Sequence, residues 1–164
     1  MLVTGRVHAT APLLKAPLSG TPCLAYFYRM YRSGHNPDGP DEELPVYWGF
    51  ASLPFTVETG SRSIAVAAPQ LSIPRNRHHG KAAVARAREY LGAVAAEVRS
   101  PRPFLAGDRV LQWMTDIAPD EDGSARRDWK SGEDQDPGTL LLEELILTPQ
   151  SEVSVSGRWS PAPG

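Results

Sequence analysis

Apolar and polar residues alternate from Leu2 to Thr10, with Val7 and Ala9 set against Arg6 and His8. This period of two predicts a first strand. The stretch ATAPLLKAPLSGTP that follows holds Pro12, Pro17, Pro22 and Gly20, and predicts an extended crossover with turns. From Cys23 to Arg32 the chain is dense in aromatic and aliphatic residues, with no Gly or Pro to interrupt it, which predicts a strand. Read at period two, Leu24, Tyr26, Tyr28 and Met30 share one face, and Cys23, Ala25, Phe27, Arg29 and Tyr31 share the other. The first face is apolar apart from hydroxyls and is expected in the core.

Strand character resumes over Val46–Val57, and Pro54 marks a break or an edge. The segment VETGSRSIAVAAP carries a Thr-Gly-Ser turn between two short apolar runs, a hairpin pattern. Over residues 80–98 the period changes. Val84, Ala87, Leu91, Val94 and Val98 recur at helical spacing, with Arg86, Arg88, Glu89 and Glu97 on the wet side and SPRP as the stop. Residues 109–117 predict another strand. Residues 118–138 are polar, charged and broken by Gly and Pro, and predict a mobile acidic loop. Two last strands flank the turn Thr148-Pro149-Gln150-Ser151. These elements predict one domain over residues 1–164, mainly β with one α-helix, as an OB-like small antiparallel β-barrel. A helical insertion over about 75–102 and the loop at about 118–138 elaborate it.

The 164 residues are enough for one domain with a core of its own. A formal net charge of −2 supplies no global field for nucleic acid or anionic membrane. The charge is uneven, however: residues 70–109 hold eight basic and three acidic residues, and residues 110–164 hold four basic and eleven acidic. An acidic half able to shield a basic half is therefore expected. The single cysteine excludes an intrachain disulfide framework and fits a reducing, cytoplasmic setting. No secretory leader pattern opens the chain, and its longest uncharged run, Leu44–Val57, is 14 residues with two prolines. Spanning a bilayer takes about 20 residues, so a soluble chain without membrane insertion is expected.

Candidate chemistry is sparse. Cys23 has no His in its own strand to activate it and reads as a buried structural thiol. Phe27, Arg29 and Tyr31 could stack nucleic-acid bases if their face were open; otherwise they belong to core and surface contacts. The segment RNRHHGK, with Arg75, Arg77, His78, His79 and Lys81, is the one dense basic cluster, and it precedes the helix. It is either a solvated loop or a contact for a phosphate or an acidic segment. The His78–His79 pair has no third ligand at a suitable spacing, so no metal or other cofactor is expected. Glu143 and Glu144 are neighbours in a strand and point to opposite faces, so they cannot work as an acid–base pair unless a bulge realigns them. No nucleophile elbow, phosphate loop, zinc-protease or dinucleotide motif occurs.

Four segments in order, TGRVHAT, LKAPLSGTPCLAYFYRMYR, PFTVETGSRSIAVAAP and LEELILTPQSEVSVSGRW, resemble the GIDE, or "beside a membrane", domain family. The shared pattern is a Gly-x-Val first strand, a Pro-Leu-Ser-Gly-x-Pro-Cys lead into an aromatic strand, a Pro-Phe hairpin, and a Glu-containing strand before a terminal Val-x-Gly. It spans most of the chain but leaves out the helix and the 118–138 loop. The resemblance implies an OB-like β-domain that serves as an interaction or sensing module. In relatives from mitochondrial and chloroplast membranes this domain lies between transmembrane helices and precedes a RING finger that confers ubiquitin-ligase activity. A RING takes about eight Cys and His ligands for two zinc ions. With one Cys and four His, this chain does not inherit that activity.

The sequence thus predicts a non-enzymatic module that binds another protein. Single-stranded nucleic acid or an anionic ligand on an OB-like surface is the alternative, and an enzyme assembled from distant residues is a third class.

Overall fold

The computed structural model describes residues 2–34, 42–60, 62–66, 76–94, 124–131 and 134–156. The expected strand at 109–117, Arg75, Val98 and residues 118–123 lie outside these. Mainly β structure with one α-helix is what the described residues adopt. Strands β1 (Leu2–Ala9), β6 (Phe55–Thr59), β7 (Arg62–Val66) and β11 (Glu152–Ser156) form an antiparallel sheet in the order β11-β1-β6-β7. Strands β4 (Ala25–Gly34), β5 (Glu42–Ser52), β8 (Asn76–His78), β9 (Ala125–Lys130) and β10 (Leu141–Leu147) form a second, in the order β8-β10-β4-β5-β9. Two short strands, β2 (Leu14–Lys15) and β3 (Pro22–Cys23), pair with each other around the turn that leads into β4. Neither large sheet closes on itself among the described residues.

The central strand β4 has both faces buried, which is why its sequence reads as almost continuously apolar. One face meets the four-stranded sheet. There Phe27, Trp48, Phe50 and Leu145 pack against Val7, Phe55 and Val57. The other face meets helix α1 (Lys81–Ala93), where Tyr26, Tyr28, Met30 and Ala51 pack against Ala83 and Ala87. The face holding Leu24, Tyr26, Tyr28 and Met30 is buried as expected. Phe27 is buried too, on the opposite face, against the four-stranded sheet.

The helix turns a slightly different stripe inward than its valines and leucine suggest. Ala83 and Ala87 are its buried residues, with Val84, Tyr90 and Leu91 only half-buried around them. Small residues in the contact row bring the helix axis close to the sheet. Arg86, expected on the wet side, lies at this boundary and donates from Nε to the Leu18 carbonyl at 2.6 Å.

Part of the expected acidic loop is ordered structure: residues 125–130 are edge strand β9, and Pro137–Thr139 form a 3-10 turn capped by Asp136. Pro54 lies where β5 ends and β6 begins, and Gly60, at φ 57°, turns β6 into β7. The Thr148–Ser151 turn carries the chain from the five-stranded sheet to the four-stranded one. Backbone bonds from Val7 to Ser151 and from Gln150 to Val7 pin it to β1.

Candidate functional site

The two glutamates of β10 organise most of the candidate residues. Strand β10 pairs with β4 and β8 in regular register, Glu143 opposite Arg29 and Arg77, Glu144 opposite Tyr28 and Asn76. Alternation therefore sends the two carboxylates to opposite faces, as the sequence predicts.

On one face, Glu143 is the centre of a charge ladder. Arg29 donates to its Oε2 at 2.6 Å, the Tyr31 hydroxyl to Oε1 at 2.8 Å, and Arg77 Nε to Oε1 at 3.2 Å. Arg29 also reaches Glu43 at 2.7 Å and lies over the Tyr31 ring, 4.4 Å from its centroid. Burial acts to raise the Glu143 carboxyl, but the bonds from Tyr31 and Arg29, the Arg29 charge and the bond from Arg77 outweigh it. The group is held below the ordinary carboxylate range. The side chain of Arg77 is 65% exposed at the rim of the sheet, whereas that of Glu143 is 3% exposed.

On the other face, Glu144 is fully buried. The turn between β2 and β3 serves it: the Leu18 N–H donates to Oε1 at 2.8 Å and the Ser19 N–H to Oε2 at 3.1 Å. Gly20, at φ 75°, lets the chain close this turn, and its N–H returns to the Ala16 carbonyl. Two otherwise orphaned amides and a buried charge thus satisfy each other. His78 Nε2 is buried 3.4 Å from Glu144 Oε2 but makes no hydrogen bond to it. Cys23 is buried nearby, and desolvation, then the Glu144 charge, pushes its thiol up to about 12. Burial and the raised pKa both disfavour the reactive thiolate at neutral pH.

A third polar cluster, unforeseen from sequence, ties α1 to β9. The hydroxyls of Tyr28 and Tyr90 both donate to Asp128 Oδ1 at 2.9 Å, Tyr26 and Tyr90 are bonded at 2.8 Å, and Arg126 Nε reaches Asp128 Oδ2 at 3.1 Å. Burial first, then the Asp128 charge, raises the Tyr28 hydroxyl above its usual range. Gly49 makes room: a Cβ there would stand 2.5 Å from both Asp128 Oδ1 and the Tyr28 ring.

Of the eight residues singled out by sequence, the fold brings Arg29, Tyr31 and Arg77 together at Glu143 and sets His78 against Glu144. His79 and Lys81 are exposed at the edge where β8 leads into α1. Phe27 and Tyr31 are 6% and 1% exposed, so the base-stacking arrangement proposed for that face is corrected: neither ring is open to a base. The basic cluster is likewise not a loop throughout, because residues 76–78 are a strand. What sequence reasoning missed is the role of Glu143, Glu144 and Asp128 as internal counter-charges. The signal was two carboxylates inside the apolar run LLLEELIL. Among the described residues no three of His, Cys, Asp and Glu gather as a metal site would need.

No protein-family model, no curated protein and no solved structure matches this chain.

Proposed function

We propose that the chain is a non-enzymatic, GIDE-like interaction module that binds another protein through the basic edge formed by β8 and the first turn of α1. One observation carries this reading. The carboxylates best placed for chemistry, Glu143, Glu144 and Asp128, are engaged by the chain's own donors, whereas His79 and Lys81 face solvent and Arg77, itself a donor to Glu143, keeps its side chain 65% exposed. A general acid or base has to reach a substrate with a free lone pair or proton, and a carboxylate already holding two or three internal donors does not. An exposed arginine and lysine close together at a sheet edge suit recognition instead.

The burial of Phe27 and Tyr31 favours a protein partner over single-stranded nucleic acid, which needs open aromatic platforms. The free thiol of Cys23 fits the cytoplasmic setting assigned to the module. Among the described residues no helix is long and apolar enough to cross a membrane. The OB-like relationship belongs to the same reading: backbone amide NOEs between an edge of one large sheet and an edge of the other test it.

The function is tested by placing a photo-crosslinking amino acid at His79, with Ser63 on β7 as the control position. Protein adducts in source-cell extract at His79 and not at Ser63 are expected. Adducts that vanish on nuclease treatment would transfer the assignment to nucleic acid, and equal labelling at both positions would overturn it.

A further inference from the structure

We propose that the outer edge of β8 accepts an extended acidic segment of a partner protein as an added strand of the five-stranded sheet. The inference rests on the protein-binding reading above and specifies its chemistry. Strand β8 is terminal in the sheet order, and among the described residues nothing pairs with its outer side. Its backbone groups on that side are a template for another strand.

Charge specifies the occupant. Across one face of the sheet the side chains alternate in sign: Glu43, Arg29, Glu143, Arg77. The series ends on Arg77, whose side chain is 65% exposed. A strand added beside β8 places its own residue opposite Arg77, and continuing the alternation makes that residue acidic. Beyond the strand, His79 and Lys81 are exposed, and Lys81 makes no ion pair among the described residues. Gly80 caps α1 with no side-chain bond, so the amides of the first turn add to the positive potential there. A second carboxylate a few residues along the added strand would meet that potential.

The same charges argue against a second copy of this chain at the edge. Pairing β8 with β8 about Arg77 would set this residue of each copy against that of the other, and like charges facing across a ladder destabilise it. Edge cations often serve as guards against such self-pairing. An acidic strand is the partner that this guard admits.

The test titrates the isotope-labelled full chain with a capped peptide, Thr-Glu-Val-Glu-Val-Glu-Thr, followed by backbone amide shifts and amide exchange. Two control peptides separate the contributions. One has Lys in place of Glu; the other keeps the charges but carries N-methyl groups on the central Glu and both Val amides, so that both edges of the strand are blocked and it cannot complete the ladder. The proposal expects shifts and slowed exchange centred on residues 76–79, and no binding of the Lys peptide. Binding of the N-methylated peptide is expected to be weaker by about tenfold, the size of one or two net backbone hydrogen bonds. R77Q, which leaves Glu143 with Arg29 and Tyr31, is expected to weaken the acidic peptide several-fold while the folded spectrum is retained. Equal affinity for the N-methylated peptide overturns strand addition, and so do shifts centred on β7 or β11. Protein adducts at His79 together with either of those results leave the interaction reading standing and remove only this docking mode.

Discussion

At the scale of single residues, β10 shows how a buried charge can be a structural part. Glu144 holds the Leu18 and Ser19 amides of the turn that leads into β4. Glu144→Leu keeps much of the volume and orphans both donors, so it is expected to cost about 2–5 kcal/mol, read from urea unfolding. A loss below about 1 kcal/mol would mean that the turn finds other acceptors. Cys23, fully buried beside this carboxylate, is expected to react with a thiol reagent at neutral pH only after denaturant opens the fold. Prompt labelling of the native protein would restore the nucleophile that the burial denies. Gly5 has a different role. A Cβ there would overlap the backbone carbonyl of Glu58, where β1 passes from pairing with β11 to pairing with β6. Gly5→Ala is therefore expected to cost about 1–3 kcal/mol, since the obstruction is main chain and not a movable side chain; a thermal melt checks it.

At the scale of elements, the helix gives the sharpest contrast between pattern and packing. Its larger apolar residues suggest that Leu91 anchors it, yet Ala83 and Ala87 make the closest contact. Ala87→Leu is expected to push the helix off Tyr26 and Tyr28 at about 1–3 kcal/mol. Leu91→Ala, at a half-buried position, is expected to cost about 1 kcal/mol by the area it loses. The reverse order of the two melting temperatures would show that the helix sits on its leucine. The strands that sequence revealed, β1, β4, β5, β6, β7, β10 and β11, are those where burial on at least one face imposes an apolar signature. Strand β9 escaped because ARRDWK lies at a sheet edge with exposed Arg126 and Arg127, and its contribution is ionic and aromatic: Asp128 under the tyrosines, Trp129 stacked on Trp48. Strand β8 escaped because three residues are too few to show a period. The basic candidates were visible as a cluster, but their counter-charges were not, because Glu143 and Arg29 are 114 residues apart.

At the scale of the whole molecule, the four-stranded sheet and the helix pack on opposite faces of the five-stranded sheet, and acid is expected to loosen them through Glu143. Its carboxyl is held below its unfolded value, so it contributes stability that is complete above the unfolded pKa and lost as pH falls through the folded one. The stability advantage of the native chain over E143Q is accordingly expected to be full above about pH 5 and to close on further acidification. A gap that widens toward acid would reverse the assignment. The adjacent glutamates have one more consequence, for how the chain finds its fold. Strand β10 must locate β4 across more than a hundred residues of intervening chain, a search in which a slip of one place is the nearest competitor. A slip one way puts Glu143 into the apolar site of Leu142 under the helix and turns Leu145 toward the waiting amides of Leu18 and Ser19. A slip the other way puts Glu144 between the sheets in place of Leu145 and leaves Arg29 facing Leu142. Either error strands a charge in oil, so two neighbouring identical residues act as a spelling check that accepts a single alignment of the sheet.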